Sequence, residues 1–249
     1  MHRFLKPVMC AAILLTIGLQ SPVRADEKAV TFARPFKVGD AVKYKSTATI
    51  DLGGQKIVVT QNRKHVVKLI KDNGEIVIDI VDEGGKVDLG GSEMDIPAKS
   101  PETITSDKQG KMLAYKPSAE ENPYLSNTTL HLLAVVDRIV LTDKEVKAGD
   151  SWTTEIDNPA AKGKKVAIKT TYVGTEKVGG ADAWKVKQTV DADTDGGKLN
   201  ADVTALLDPA NGQIISADQT LKGIPGQMGA IDWTSKLVRV KGEEKKAEK

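Results

Sequence analysis

The chain has 249 residues, with 36 Lys and Arg against 34 Asp and Glu, a single Cys and a formal net charge of +2. Charges this evenly mixed leave no basic footprint for nucleic acid, and one Cys excludes a disulfide framework. Aromatic residues are only 4% of the chain, so any core or pocket must be built mainly from aliphatic side chains.

Residues 1–25 have the three zones of an export signal. His2, Arg3 and Lys6 come first, an apolar run from Val8 to Leu19 follows, and Ser21-Pro22-Val23-Arg24-Ala25 closes it, with cleavage expected after Ala25. The apolar run is about twelve residues, short of the roughly 20 that a membrane helix needs, and no later stretch is longer. The mature chain is therefore expected to be exported, periplasmic or extracellular in a bacterial envelope, with no transmembrane segment. Cys10 follows Pro7-Val8-Met9, where a lipid-modified cysteine needs a small residue directly ahead of it, so lipidation is not expected. Removal of residues 1–25 takes away three Lys/Arg and no acid, which leaves 33 basic against 34 acidic residues and no cysteine.

Residues 26–36 read as an extended lead-in anchored by Phe32 and Phe36. After Lys37-Val38-Gly39-Asp40, apolar and polar residues alternate through Val42, Tyr44, Ala48 and Ile50, the period-two signature of a strand with one wet face. Gly53-Gly54 turns the chain into strands at 56–61 and 64–71. Asp72-Asn73-Gly74 predicts a hairpin into 75–82, and Gly84-Gly85 another into 86–89. The pattern breaks over Gly90–Pro101, a surface insertion, then resumes at 102–106 and 111–116. One helix is predicted at 127–139 within a connecting segment 126–141. Ser126 or Asn127 is its N-cap, and Leu130, Leu133 and Val136 are its apolar stripe. The second half, 142–240, carries strands near 152–156, 164–173, 183–190, 198–207, 213–222 and 230–240. Residues 241–249 hold no large apolar residue and read as a charged disordered tail.

The two halves, 26–125 and 142–240, show an internal repeat. Lys37, Gly39 and Asp40 align with Lys147, Gly149 and Asp150 at an offset of 110; Gly54 and Lys56 align with Gly163 and Lys165 at 109. Glu83-Gly84-Gly85-Lys86-Val87-Asp88 matches Asp195-Gly196-Gly197-Lys198-Leu199-Asn200 at 112, and Asp107 and Gly110 match Asp208 and Gly212 at about 102. Chance likeness among glycine turns competes with true duplication. Duplication predicts two meanders that bury their apolar faces together. The expected fold is mainly β, a large antiparallel curved sheet or half-barrel with one helix packed against it. An exported meander of this kind, opening each half with a Gly-Asp turn, resembles the lipoprotein-carrier-like half-barrel proteins of bacterial envelopes and other secreted β proteins. That resemblance implies architecture and carries over no functional residue.

Asp191-Ala192-Asp193-Thr194-Asp195-Gly196, with Asp202 eleven positions after Asp191, spaces carboxylates as a calcium loop does, around a glycine at the sharp turn. Lys198, an aspartate in the last ligand position and flanking strands favour a solvated hairpin instead. His65 and His131 lack the partners of a zinc site. No Gly-x-Ser-x-Gly elbow occurs, and the mature chain has no thiol nucleophile. No catalytic residue is assigned. The expected function is non-catalytic binding of an apolar or amphiphilic small molecule, such as a lipid, or of an envelope or secreted protein partner. Trp152, Trp184, Leu130, Leu133 and Val136 are the candidate walls. Two alternatives stay open: a structural or protein-interaction module assisted by calcium, and an exported hydrolase whose acidic site is assembled only by folding.

Overall fold

The computed structural model describes residues 28–52, 54–227 and 229–240. The expected export signal and charged tail fall outside these residues. The chain forms β1 (Ala41–Leu52), β2 (Gln55–Ile70), β3 (Ile76–Asp88), β4 (Glu93–Ile96), β5 (Glu102–Ser106) and β6 (Met112–Lys116). It continues through helix α1 (Asn127–Val136) into β7 (Ser151–Asp157), β8 (Lys165–Val178), β9 (Ala181–Thr194), β10 (Gly197–Leu207), β11 (Ile214–Gly226) and β12 (Gly229–Arg239). The strands make one nearly closed, barrel-like antiparallel sheet in the order β6-β5-β3-β2-β1-β12-β11-β10-β9-β8-β7, with β4 also paired to β3. Read from β7, the second half runs to β12 and the first half then continues from β1 to β6. The halves lie head to tail, and the path ends at β6 and β7, which the segment carrying α1 connects.

The Gly-Asp turns are built alike. Asp40 and Asp150 each accept a 2.8 Å hydrogen bond from the backbone N–H of Lys37 and Lys147, respectively. The N–H of Gly39 donates to Val67 on β2 at 2.8 Å, and that of Gly149 donates to Tyr172 on β8 at 2.7 Å. Both glycines have positive φ, 90° and 94°, a region that residues with a Cβ enter at a cost. These turns therefore make Val67 and Tyr172 structural counterparts.

The Gly-Gly anchor of the repeat is not equivalent in the two halves. Gly196-Gly197 closes the β9–β10 hairpin as expected, but β3 runs straight through Gly84-Gly85. A Cβ on Gly85 would sit 1.9 Å from the Thr60 carbonyl oxygen, so this glycine allows a close approach of strands and not a turn. The predicted strands 56–61 and 64–71 are likewise one strand, β2, with register irregularities between Gln61 and Arg63 and between Val67 and Leu69. Within the Gly90–Pro101 stretch, β4 pairs with Gly85–Asp88, while β5 pairs with Ile76–Ile80. Two short strands thus share the edge of β3, where the second half lays the single strand β10 along β9.

Burial alternates along β8 through Val166, Ile168, Thr170 and Tyr172, as expected of a sheet with one face turned to a core. Ser126 caps α1, accepting from the Thr129 N–H at 3.1 Å. The buried stripe of the helix is Thr129, Leu132, Val135 and Val136, whereas Leu130 and Leu133 are half-buried. The run Leu130-His131-Leu132-Leu133-Ala134-Val135-Val136 is apolar on nearly every side, so periodicity could not single out its inner face. The helix also ends before the predicted 139, because the following backbone is captured by Gln188. Its side chain accepts from the Val140 N–H at 2.8 Å and donates to the Arg138 carbonyl at 2.8 Å. These bonds satisfy groups buried beyond the helix end.

Candidate functional site

The lead-in and the stretch after α1 meet inside the sheet. Phe32 packs against Trp184, Tyr172 and Trp152 with ring centroids 5.0, 5.6 and 5.7 Å away. The Trp152 indole N–H donates to the Val140 carbonyl at 3.1 Å. Two residues on, Arg34 donates to the carbonyls of Ile139, Gln109 and Gly212 at 2.9, 3.1 and 3.2 Å. The guanidinium clamps together the helix tail, the β5–β6 turn and the β10–β11 turn, with no carboxylate partner among the described residues.

A partly open cavity of about 60 Å³ lies beside this clamp, room for several waters or a small polyatomic group at about 10–15 Å³ per water on the same measure. Arg34, Arg138, Tyr44 and His65 form its polar wall, and Phe36, Val42 and Ile214 are among its apolar lining. The sheet register puts these groups together. Tyr44 on β1 lies opposite Arg63 on β2 and Arg239 on β12, and Val42 lies opposite His65. The Tyr44 and His65 rings are 4.8 Å apart at 51°. A more open hollow of about 300 Å³ shares Arg34, but Lys108, Gln109, Thr142 and Asp143 give it a polar rim.

The charges around the first cavity are unequal. Arg63 pairs with Asp137 at 3.3 Å and Arg239 with Asp208 at 3.0 Å. Asp137 also accepts from Gln219 at 3.0 Å, and Asp40, the other carboxylate on the wall, accepts from the Lys37 N–H. Among the described residues Arg138 has no comparable partner, and its buried Nε has no acceptor. Burial, reinforced by the Arg138 charge, lowers Arg34 to about 9, which leaves it charged at neutral pH. Burial also lowers Arg138, against the opposing pull of Tyr44 and Asp137, and raises Tyr44. His65 is pushed down to about 3 by burial and then by the charges of Arg138 and Arg63, so its imidazole is neutral at ordinary pH.

The residues named from sequence lie elsewhere. Trp152 and Trp184 belong to the aromatic cluster around Phe32. Of the helix residues, Val136 is buried in the core, and Leu133 packs against it. The four aspartates are not gathered. Asp191 accepts from Asn200 at 2.6 Å and Asp193 pairs with Lys164 at 2.9 Å, while Asp202 lies on β10 opposite Thr189. Alternate residues of an extended strand are about 6.6 Å apart, too far for Asp191 and Asp193 to converge as they would in a calcium loop. Among the described residues, no three His, Cys, Asp or Glu form a group that could hold a metal ion. Sequence reasoning missed Arg34 and Arg138 and gave His65 a structural role only. The available signals were an arginine between two anchoring aromatics and another two positions after the apolar helix run.

No family model and no curated protein matches the chain. Similar solved structures include the hypothetical lipoprotein YmcC from Escherichia coli, 16% identical, covering 80% of this chain and 85% of that one with a TM-score of 0.28. A DUF1329 family protein from Desulfovibrio piger is 9% identical and covers 84% and 89%, with a TM-score of 0.25. The resemblance is one of architecture, weak, and without a diagnostic motif.

Proposed function

We propose that the chain is an exported, non-catalytic envelope protein that binds a small amphiphilic ligand at the cavity beside Tyr44 and Arg138. The supporting observation is the cavity's mixed lining, with polar groups from β1, β2 and the helix tail beside an apolar contribution from Phe36, Val42 and Ile214. Such a lining suits a molecule with a polar head and an apolar body. The non-catalytic reading rests on the state of the groups there: a general base works best with a pKa near the working pH, and His65 lies far below it. Export rests on the organisation of residues 1–25. Gentle extraction of the full-length product from an expressing bacterium, followed by native mass spectrometry, should show an envelope-fraction chain beginning at Asp26 with a small ligand attached. A chain that retains residues 1–25, or one that carries no ligand and takes up no fluorescent lipid analogue, would refute the corresponding part of the proposal.

A further inference from the structure

We infer that the cavity takes an oxyanion head, a carboxylate or phosphate, held by the Arg138 guanidinium with the Tyr44 hydroxyl as a second donor. This rests on the amphiphile-binding reading and specifies the chemistry of the head. Two arginines, Arg34 and Arg138, and two carboxylates, Asp40 and Asp137, line the cavity, and Asp137 is paired with Arg63 outside it. Arg34 is spent on three backbone carbonyls. Arg138 lines the cavity, and among the described residues its guanidinium has no acceptor; its Nε is sealed in, so an arriving group would meet the Nη groups. A planar guanidinium suits two-point recognition of a carboxylate or phosphate.

The backbone that carries Arg138 is fixed in advance. Its carbonyl is held by Gln188, and its N–H donates to the Val135 carbonyl at 3.2 Å, so little ordering of the main chain accompanies binding. The Tyr44 phenol stays protonated, because burial raises its pKa, and it is therefore available as a donor. The cavity is large enough for the head group alone; Phe36, Val42 and Ile214 offer apolar contact to the first carbons of an attached chain.

The test titrates the mature chain with octanoate, with octanol of the same length and with inorganic phosphate, all below their solubility limits and below the critical micelle concentration of octanoate. Binding is read by calorimetry. Octanoate should bind at least about tenfold more tightly than octanol. Arg138→Gln should remove that preference, and Tyr44→Phe should reduce it severalfold. Phosphate that binds alone and loses affinity in Arg138→Gln supports the oxyanion site and assigns it to a free anion. Equal binding of acid and alcohol by the unaltered chain overturns the inference while leaving amphiphile binding intact, and it needs no variant that might misfold. Failure of all three probes to bind overturns both readings.

Discussion

Arg34 is the side chain on which the interior assembly most depends, and Arg34→Met tests that dependence while keeping side-chain length. Its guanidinium reaches carbonyls 75, 105 and 178 residues away in sequence. Hydrogen bonds to charged groups contribute about 1.5–3 kcal/mol each and neutral ones about 1. Partial exposure argues for the lower figure, and removing the desolvated charge, which burial lowers to about 9, offsets part of the loss. The net expectation is a destabilisation of about 2–3 kcal/mol. At roughly 2–4 °C per kcal/mol for a chain of this size, the melting temperature should fall by about 5–10 °C. Arg34→Lys should recover at most about a third, since one ammonium cannot serve three separate carbonyls as a fork does. The Gln109 carbonyl also accepts from the Leu141 N–H at 2.9 Å, so hydrogen exchange at Leu141 should quicken before the sheet amides do. A melting temperature within about 2 °C of the unaltered chain, or full rescue by lysine, would refute the clamp.

Gln188→Leu should cost about 2–4 kcal/mol in urea unfolding, because it strands the Val140 N–H, the Arg138 carbonyl and the Thr170 hydroxyl that the amide now joins. Gly85→Ala should destabilise by more than about 2 kcal/mol, since its Cβ would lie 1.9 Å from backbone oxygen, whereas Gly39→Ala meets open space and pays only the roughly 1–2 kcal/mol of a positive φ. Equal urea midpoints for the two would contradict the close-approach reading. His65 titrates at about 3 in the fold but near 6.5 when unfolded, so the unfolded chain binds the extra proton between those values. Its contribution is complete above about pH 6.5 and falls as pH drops towards 3, by up to ~3 kcal/mol at pH 4. His65→Gln should flatten that part of the stability-against-pH curve, and an unchanged slope would show that His65 does not set it. Asp193→Ala and millimolar calcium should each leave calcium-dependent melting undetected, since Asp193 is engaged with Lys164 and stands apart from Asp191; a calcium-induced rise lost in Asp193→Ala would reverse this.

Local rules located much of this fold. Alternation placed strands close to their observed spans, and the Gly39-Asp40 and Gly149-Asp150 turns form as their glycines and aspartates require. Where two physical causes produce the same residue pattern, sequence reading failed. Gly-Gly can signal a turn or a close approach, and at Gly84-Gly85 it is largely the second. An apolar run can bury any face, and α1 buries Leu132 and Val135 where Leu130 and Leu133 were named. The cavity was less legible still, because Arg34, Tyr44, His65 and Arg138 meet only through register and a crossover, and none forms a motif with its sequence neighbours.

The likeness of the two Gly-Asp turns bears on where the cavity lies. Since the two Gly-Asp turns equate Val67 with Tyr172, His65 corresponds to Thr170, and Val42 corresponds to Trp152. In the second half this row reads Trp152, Thr170 and Gln188 across β7, β8 and β9. There the indole bonds the Val140 carbonyl, and the amide grips the chain on either side of Ile139. The first-half row reads Val42, His65 and Ile80 across β1, β2 and β3. A valine stands where the other copy places a tryptophan, and an isoleucine stands where it places the gripping glutamine. The second row therefore closes on the linker, while in the first Val42 and His65 line the cavity together with Arg138. Two rows in matching register thus make an anchor on one side and part of an opening on the other, and the difference at the cavity itself resides in Val42 and His65 against Trp152 and Thr170.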